Sequence, residues 1–500
     1  MLCDRRLIAL LASLLLAGAA VPVAAERFNV GPGHPYPAIG DVPWEDLSAG
    51  DSVCIHWRPA SYHEKWVICR VGTAVAPIVV RGILGPGGAL PVIDGRDATT
   101  RPELNFWNEA RGVIKIGGAN VPPDVMPAYI VVENLEIRSG RPPYTFTGRD
   151  GLTPYAQNCA AIYVEKGVEL TIRNCTLADC ANGLFAAWDT SDLVIERSRI
   201  HDNGMEGSIF EHNTYTEALG IVYQFNHFGS LRSNCLGNNL KDRSAGTVIR
   251  YNWISGGNRQ LDLVDTGSTL LRDDPSYRRT FVYGNILIEP GDVGNRQIVH
   301  YGGDSGDPSF YRKGTLYFHY NTVYSARTGR TTLFRLSTND ETAVCRNSIV
   351  HTTRPGSDLG ILDEDGFAYL RGNWLQEGWV PAFVPLGGEL HDEGNLVGDD
   401  PGFANPGSED FTLVAGSPCI DVAVALPAEA LPDHFPVSEY VRHASGHARP
   451  VAGPLDLGAF EHTSGTGIEN LGVGVPPGAE ISQLRVDPNP CRFGCVIGLE

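Results

Sequence analysis

The chain has 500 residues, a formal net charge of -19 and 42% hydrophobic residues, which describes a folded protein long enough for a large core and more than one domain. So acidic a surface argues against nucleic acid or anionic membranes as partners, and any anionic substrate would need a local basic patch. Glycine (58) and proline (34) are abundant, which favours many short strands and turns over a helical architecture.

The N-terminus begins "MLCDRRLIALLASLLLAGAAVPVAAERF". Arg5 and Arg6 precede an apolar run that ends in small residues, the pattern of a secretory signal peptide spanning residues 1–25, with export to the cell surface or medium. No other apolar run is long enough to span a bilayer. Removing residues 1–25 takes away Arg5, Arg6 and Asp4 and moves the charge from -19 to -20. The cysteines that remain are even in number, which permits disulfides in an exported protein, and Cys54–Cys69 and Cys491–Cys495 are the candidate local pairs. No Cys/His cluster has zinc spacing.

From residue 26 to 462 one pattern repeats. A short apolar strand ends in a polar residue, usually asparagine, and a second apolar strand follows: "IVVENLEI", "LTIRNCTL", "LVIERSRI", "IVYQFNHF", "TVIRYNWI", "TFVYGNIL", "LYFHYNTV", "AVCRNSIV", "AYLRGNWL". The matched positions are Asn134, Asn174, Ser198, Asn226, Asn252, Asn285, Asn321, Asn347 and Asn373, at gaps of 24 to 40 residues. The shorter gaps suit one turn of a parallel β-solenoid and the longer ones a turn carrying a loop. Asparagine at such a corner tolerates a left-handed backbone, and its amide can bond to the coils above and below. A sandwich or propeller would show hairpin signals at shorter, more even spacing.

This pattern resembles the right-handed parallel β-helix of the pectate-lyase-like superfamily. The opening "NVGPGHPYPAIGDVPWEDLSAGDSVCIHW" looks like a first coil, and "DDPGFANPGSEDFTLVAGSPCIDV" with "GPLDLGAFEH" is similar to closing coils of secreted members. The resemblance implies an all-β, single-stranded right-handed parallel β-helix of roughly ten coils. It implies no single chemistry, because this fold hosts lyases, hydrolases, epimerases and adhesins. Residues 463–480 then read as a linker. Residues 481–500, "ISQLRVDPNPCRFGCVIGLE", look like the truncated start of an immunoglobulin-like sorting or anchoring module.

The chemistry-bearing stretch is "GNNLKDRSAGTVIRYN". It lies in a basic segment, 228–261, where Arg232, Lys241, Arg243, Arg250 and Arg259 face Asp242 alone. The preceding segment, 189–217, is acidic and includes Glu206, Glu211 and Glu217. Aligning the coils that end at Asn226 and Asn252 puts Tyr215 over Lys241 and Glu217 over Arg243, about 4.8 Å apart, on one face. His212 matches Asn238 beside them.

The segment also resembles a subfamily of secreted β-helix proteins, many regarded as polysaccharide lyases, that carry "HN-x-Y", "KSRA" and "DLPNGG"-like motifs. Here these read "HNTY" (212–215), "KDRSA" (241–245) and "DLVDTG" (262–267). Asp242 departs from the pattern: it replaces an inward-facing serine. A buried carboxylate is costly, so either the strand bends at Lys241 or Asp242 is paired.

The resemblance implies a monomeric lyase that cleaves an anionic, uronic-acid-containing polysaccharide by β-elimination. Lys241 would be the base if neighbouring Arg243 and desolvation depress its pKa. Arg243 or a Ca²⁺ ion would neutralise the carboxylate, and Tyr215 or His212 would protonate the leaving oxygen. Glu217, Arg232, Arg259 and Asn239 are the candidate substrate contacts. Asp262, Asp265 and Glu206 are the candidate calcium ligands. Two alternatives stay open: a glycoside hydrolase using Asp262 and Asp265, and a non-catalytic glycan-binding or adhesin module. The stretch "YGGDSGDPSF" from Tyr301 reads as an exposed loop without a serine-nucleophile context.

Overall fold

The structure is a computed structural model that describes residues 25–291, 294–354, 356–451 and 453–463. Residues 1–24 of the proposed signal peptide, most of the linker, the C-terminal module and the Cys491–Cys495 pair lie outside the described residues. The chain has the parallel β-helix architecture that its resemblance to the pectate-lyase-like superfamily implied. Strands from successive coils pair in parallel along three faces. The first face leads to the polar corner through strands such as Ala128–Glu133, Leu219–Gln224, Ala245–Arg250 and Gly314–His319. The second follows the corner and holds eleven strands among the described residues, from Val92–Asp94 to Leu396–Gly398. The third contains Thr214–Thr216, Leu240–Asp242, Leu261–Leu263, Gln297–Tyr301 and Thr331–Leu336. Two long strands, Ala160–Arg173 and Asn182–Glu196, bend from the third face into the first.

Alternation along each strand sends every second residue inward. On the first face the register stacks Val80, Val132, Ile172, Ile195, Tyr223, Ile249, Val282, Phe318, Cys345 and Leu370 in one buried file. Each such side chain contributes on the order of 1.5–3 kcal/mol when buried.

The corner divides between two residues the two tasks expected of one asparagine. The left-handed conformation falls on Arg197, Phe225, Tyr251, Gly284 and Tyr320, one position before the ladder. The residues after them form the ladder. Asn226 N donates to Asn252 Oδ1 (2.9 Å), Asn252 N to Asn285 Oδ1 (2.9 Å) and Asn285 N to Asn321 Oδ1 (3.0 Å). Each of these three asparagines also donates its Nδ2 to the same acceptor at 3.0 Å. Asn134, Asn174 and Asn347, aligned in the sequence with the ladder, instead hold the left-handed position. In two of their coils Cys175 and Ser348 stand on the rung.

The disulfide expected between Cys54 and Cys69 is absent. Cys54 lies in Ser52–His56 on the first face, whereas Cys69 follows Glu64–Ile68 on the third, and its thiol donates to Val125 O at 3.5 Å. The eight cysteines from Cys54 to Cys419 are free. No helix among the described residues is long and apolar enough to cross a membrane.

The segment expected to close the coil stack does something else. After Leu396–Gly398 it forms two antiparallel hairpins, Phe403–Asn405 with Asp410–Leu413 and Ser438–Val441 with Ser445–Ala448. Between these hairpins, and through the turn of the second, the chain runs back over the outside of the first and second faces as a strap. His434 stacks on Phe281 with ring centroids 3.6 Å apart, and its carbonyl accepts from His319 Nε2 at 2.9 Å. His443 stacks on His227 at 4.0 Å. Burial, with neighbouring arginines and histidines, holds His227 and His434 down to about 3. Burial holds His319 and His443 at about 4.

Two outcomes are expected. Asn252→Ala strands the Asn226 amide groups, each worth about 1–3 kcal/mol when buried without a partner. Urea denaturation should therefore show a loss of about 3 kcal/mol, and Asn252→Ser, which copies the Ser348 rung, should lose less. The strap histidines are neutral when folded and take up protons when unfolded below about pH 6.5. The unfolded state then binds more protons, so their contribution to stability is complete above pH ~6.5 and falls as pH drops towards 4. Melting temperatures between pH 7 and pH 4 should show this slope, and His434→Gln should flatten it.

Candidate active site

The third face carries a continuous outward column. Backbone register aligns Lys115, Tyr163, Phe185, Tyr215, Lys241, Asp262, His300, Arg335 and Asp363 in sequence, one per coil. Tyr215 lies beside Lys241, as the aligned corners required.

The centre of the column is a closed charge network. Lys241 Nζ bonds Asp262 Oδ2 at 2.8 Å and also binds Asp304 Oδ2. Arg243 Nη2 reaches the other oxygen of Asp304 at 2.8 Å, and its Nη1 lies 3.7 Å from Asp265 Oδ1. Asp262 also takes Asn238 Nδ2 (2.6 Å) and His300 Nδ1 (2.8 Å), with Arg259 Nη1 at 3.8 Å. His300 Nε2 meets Ser337 Oγ at 2.9 Å. Asp265 Oδ1 accepts from Asp304 N at 2.7 Å and so fixes the backbone that presents Asp304. Asp262 and Asp265 are fully buried, while the Asp304 side chain is 34% exposed.

These contacts decide the protonation states. Burial alone would lower the Lys241 pKa, but Asp262 and Asp304 outweigh it, and the pKa is raised. Lys241 is therefore an ammonium, which corrects its expected role as a base depressed toward neutrality. The motif displayed Arg243 but not the carboxylates that later coils bring. Burial opposes ionisation of Asp262 and Asp304 too, yet the cations hold both below the usual carboxylate range. Burial keeps His300 neutral. His212, buried and facing Lys241, is held down to about 3. Its Nδ1 accepts from Asn238 N at 2.8 Å and its ring stacks on Tyr215 at 5.7 Å.

The other expected residues separate. Glu217 does not pair with Arg243; it accepts from Thr266 Oγ1. Arg259 lines the network and donates to Gln297 Oε1 at 3.3 Å. Asn239 is buried in a second corner ladder, where it accepts from Asn213 Nδ2 at 2.8 Å, and so cannot contact substrate. Arg232 belongs to a different cluster, with Asp179 at 3.5 Å and Gly204 O. The calcium set is not gathered either. Asp262 has both oxygens engaged, Glu206 is exposed on a loop whose backbone pairs with Cys235, and no three metal-binding side chains converge among the described residues. These residues do not fit a calcium ion. The buried Asp262 and Asp265 likewise cannot flank an open glycosidic bond.

Asp242 resolves the departure from the motif. The strand does not bend, and the carboxylate points inward and is fully partnered. It accepts from Thr216 Oγ1 (2.9 Å), Ser244 Oγ (2.6 Å) and Thr247 Oγ1 (2.6 Å), and pairs with Arg312 Nη2 at 3.4 Å. Arg312 is itself 0% exposed and reaches Val264 O and the Tyr277 ring. It ends the loop that begins at Gly302, so the pair pins the loop that brings Asp304 into the network. Asp304, His300, Asn238 and Ser337 were not found by motif. Asp304 lies in a stretch that reads as an exposed loop, and uneven loop lengths hide the coil alignment of His300 with Asp262.

No family model and no curated protein matches the chain. Among solved structures it is similar to the alginate lyase from Paenibacillus sp. str. FPU-7, with 11% identity over 74% of this chain and 99% of that one and a TM-score of 0.38. It is similar to pectate lyase Pel9A, with 11% identity over 88% and 98% and a TM-score of 0.40. It is also similar to XylC in complex with xylose, with 12% identity over 76% and 87% and a TM-score of 0.43.

Breaking one side of a buried pair costs about 3–5 kcal/mol, whereas replacing both sides with apolar groups is nearly neutral. Arg312→Met should lower stability by that amount in denaturant unfolding. Restoring the motif serine in Asp242→Ser/Arg312→Met should recover most of the loss.

Proposed function

We propose that the chain is a carbohydrate-active β-helix protein that cleaves a uronic-acid-containing polysaccharide by β-elimination at the Tyr215–Lys241–Arg243 cluster. One observation carries this reading. Lys241 Nζ and Arg243 Nη2 together hold the carboxylate of Asp304, a side chain from a loop at the open end of the network. The fork is built for a carboxylate, and a uronate can take the place that Asp304 fills.

In that position the two cations neutralise the substrate carboxylate, so the adjacent C–H becomes acidic. Tyr215 faces both of them, its ring 6.0 Å from Lys241 Nζ and 5.5 Å from Arg243 Cζ. Reacting as the phenolate, it takes the proton from that carbon as the C–O bond to the next sugar breaks and a C=C bond forms, and the phenol so formed returns the proton to the leaving oxygen. His212 packs against Tyr215 and sets its ring, and Asp262 with His300 orients Lys241. Lys241 thus acts by charge, not as the base.

Ultraviolet absorbance of the new conjugated double bond reports the reaction. Product is expected from at least one polyuronate or glycosaminoglycan. Tyr215→Phe and Arg243→Ala should each lower kcat/KM by about 10²-fold or more with unchanged circular dichroism. Asp304→Asn, which removes the competing carboxylate, should lower KM. A correctly folded wild-type protein that forms no unsaturated product across a broad panel of such polymers would overturn the reading.

A further inference from the structure

On the C-terminal side of Lys241 the outward column repeats the arrangement of the fork. Asp262, His300 and Arg335 follow in register, so Arg335 stands three coils from Lys241, about 14 Å along the solenoid axis. Its Nη2 meets Glu364 Oε2 at 2.9 Å, and the two side chains are 27% and 44% exposed. Glu364 holds φ at 71°, a left-handed conformation that residues other than glycine seldom adopt. Asp304 and Glu364 are thus alike. Each is a partly exposed carboxylate, at or just past the end of a third-face strand, set against a cation of the column.

The surroundings of Arg335 are short of acceptors. Arg259 Nε and Arg335 Nε are buried with no acceptor among the described residues, which is costly until a ligand supplies one. Arg259 turns its other nitrogens to Gln297 Oε1 at 3.3 Å and toward Asp262 Oδ1 at 3.8 Å. Burial lowers the Arg259 pKa; Asp262 opposes the shift, and the Arg335 guanidinium adds to it. Asp363, next in the column, is taken up by Arg296, which reaches both of its oxygens at 3.0 and 3.1 Å, and by Gln297 Nε2 at 2.6 Å. That leaves Arg335 to Glu364, and a pair so open to solvent contributes little and exchanges readily.

A polymer with one uronate in the fork presents further carboxylates along its length, and guanidinium groups pair with carboxylates through parallel hydrogen bonds. We infer that Arg335, with the Arg259 guanidinium, forms a second carboxylate subsite for a polyuronate that displaces Glu364 and lies along the third face from Lys241 toward the C-terminal coils. This rests on the uronate reading of the fork, and it adds the direction of the polymer and the residues that grip its next charged ring. Because that ring does not react, the subsite contributes to affinity and not to the chemical step.

The test is affinity electrophoresis of the full chain through gels containing polygalacturonate, alginate or hyaluronan, with dextran as the neutral control, alongside the ultraviolet assay. The wild type should be retarded by at least one of the three acidic polymers and not by dextran. Arg335→Ala should weaken that binding by about tenfold. Glu364→Gln, which removes the competing carboxylate and keeps its shape, should strengthen it. A role confined to holding the fold would not move the two variants in opposite directions. Where product forms, KM should rise in Arg335→Ala and fall in Glu364→Gln, with a smaller change in kcat. Circular dichroism verifies folding, and both side chains are exposed enough for the variants to fold. Weakened retardation in Arg335→Ala with no unsaturated product from the wild type would sink the elimination reading and leave the subsite standing. Wild-type retardation and KM in both variants would overturn the subsite alone. A wild type retarded by none of the acidic polymers, or equally by dextran, would overturn it as well.

Discussion

Parallel pairing at constant register is the constraint on which the site depends. In a solenoid each residue's lateral neighbour lies one full coil away in sequence, and the backbone hydrogen bonds set the offset. Tyr215, Lys241, Asp262 and His300 are separated by loops of different lengths, yet they stand side by side because each occupies the same strand position. The asparagine ladder serves the same end at the corner. Each amide accepts from the coil before and donates to the coil after, so a slip at one rung would leave buried polar groups unpaired in two neighbours.

Register explains proximity, and the loop from Gly302 explains charge balance. The basic segment read along the chain is compensated in space by Asp262, Asp265 and Asp304. Asp304 comes from outside the sheet and needs a fixed support. Arg312 supplies it by burying its guanidinium against Asp242, inside the coil directly behind Lys241. One strand, Leu240–Asp242, thus contributes an outward lysine to the site and an inward aspartate that anchors the lysine's partner loop. The exchange of serine for aspartate at 242 and the presence of Arg312 are two parts of one arrangement.

The fold was legible because it is written in a local code: apolar strand, polar corner, apolar strand, repeated at coil length. The Tyr215–Lys241 pairing was legible for the same reason, since both coils reach their corners by the same number of residues. Beyond Lys241 the count fails. Thirteen residues of inserted turn and short helix, 266–278, separate Leu261–Leu263 from its corner, and the Asp304 loop does the same one coil later. No window of sequence reveals that Asp262 meets His300, or that an aspartate beside two glycines meets Lys241. The Lys241 protonation state was misjudged for this reason: Arg243 is two residues away, but the carboxylates that outweigh it are 21 and 63 residues away. Asn239 misled in the opposite way, since a polar residue two positions from the site lysine looks like a ligand contact and is a corner rung.

On the proposed function, the network also bears on selectivity. Lys241 and Arg243 are largely buried and already compensated, so no free positive field waits for a substrate. A sugar that displaces Asp304 without bringing a negative charge leaves two buried cations short of a partner, and removing one partner of a buried pair costs about 3–5 kcal/mol. A sugar that brings a carboxylate replaces like with like and avoids that penalty. Discrimination then comes from what the neutral competitor must break, with no special affinity required for the anionic one. An acidic protein can in this way accept an acidic polymer: the compensating charge is internal, local and exchangeable, and the overall charge of the surface matters little at the distance of a hydrogen bond.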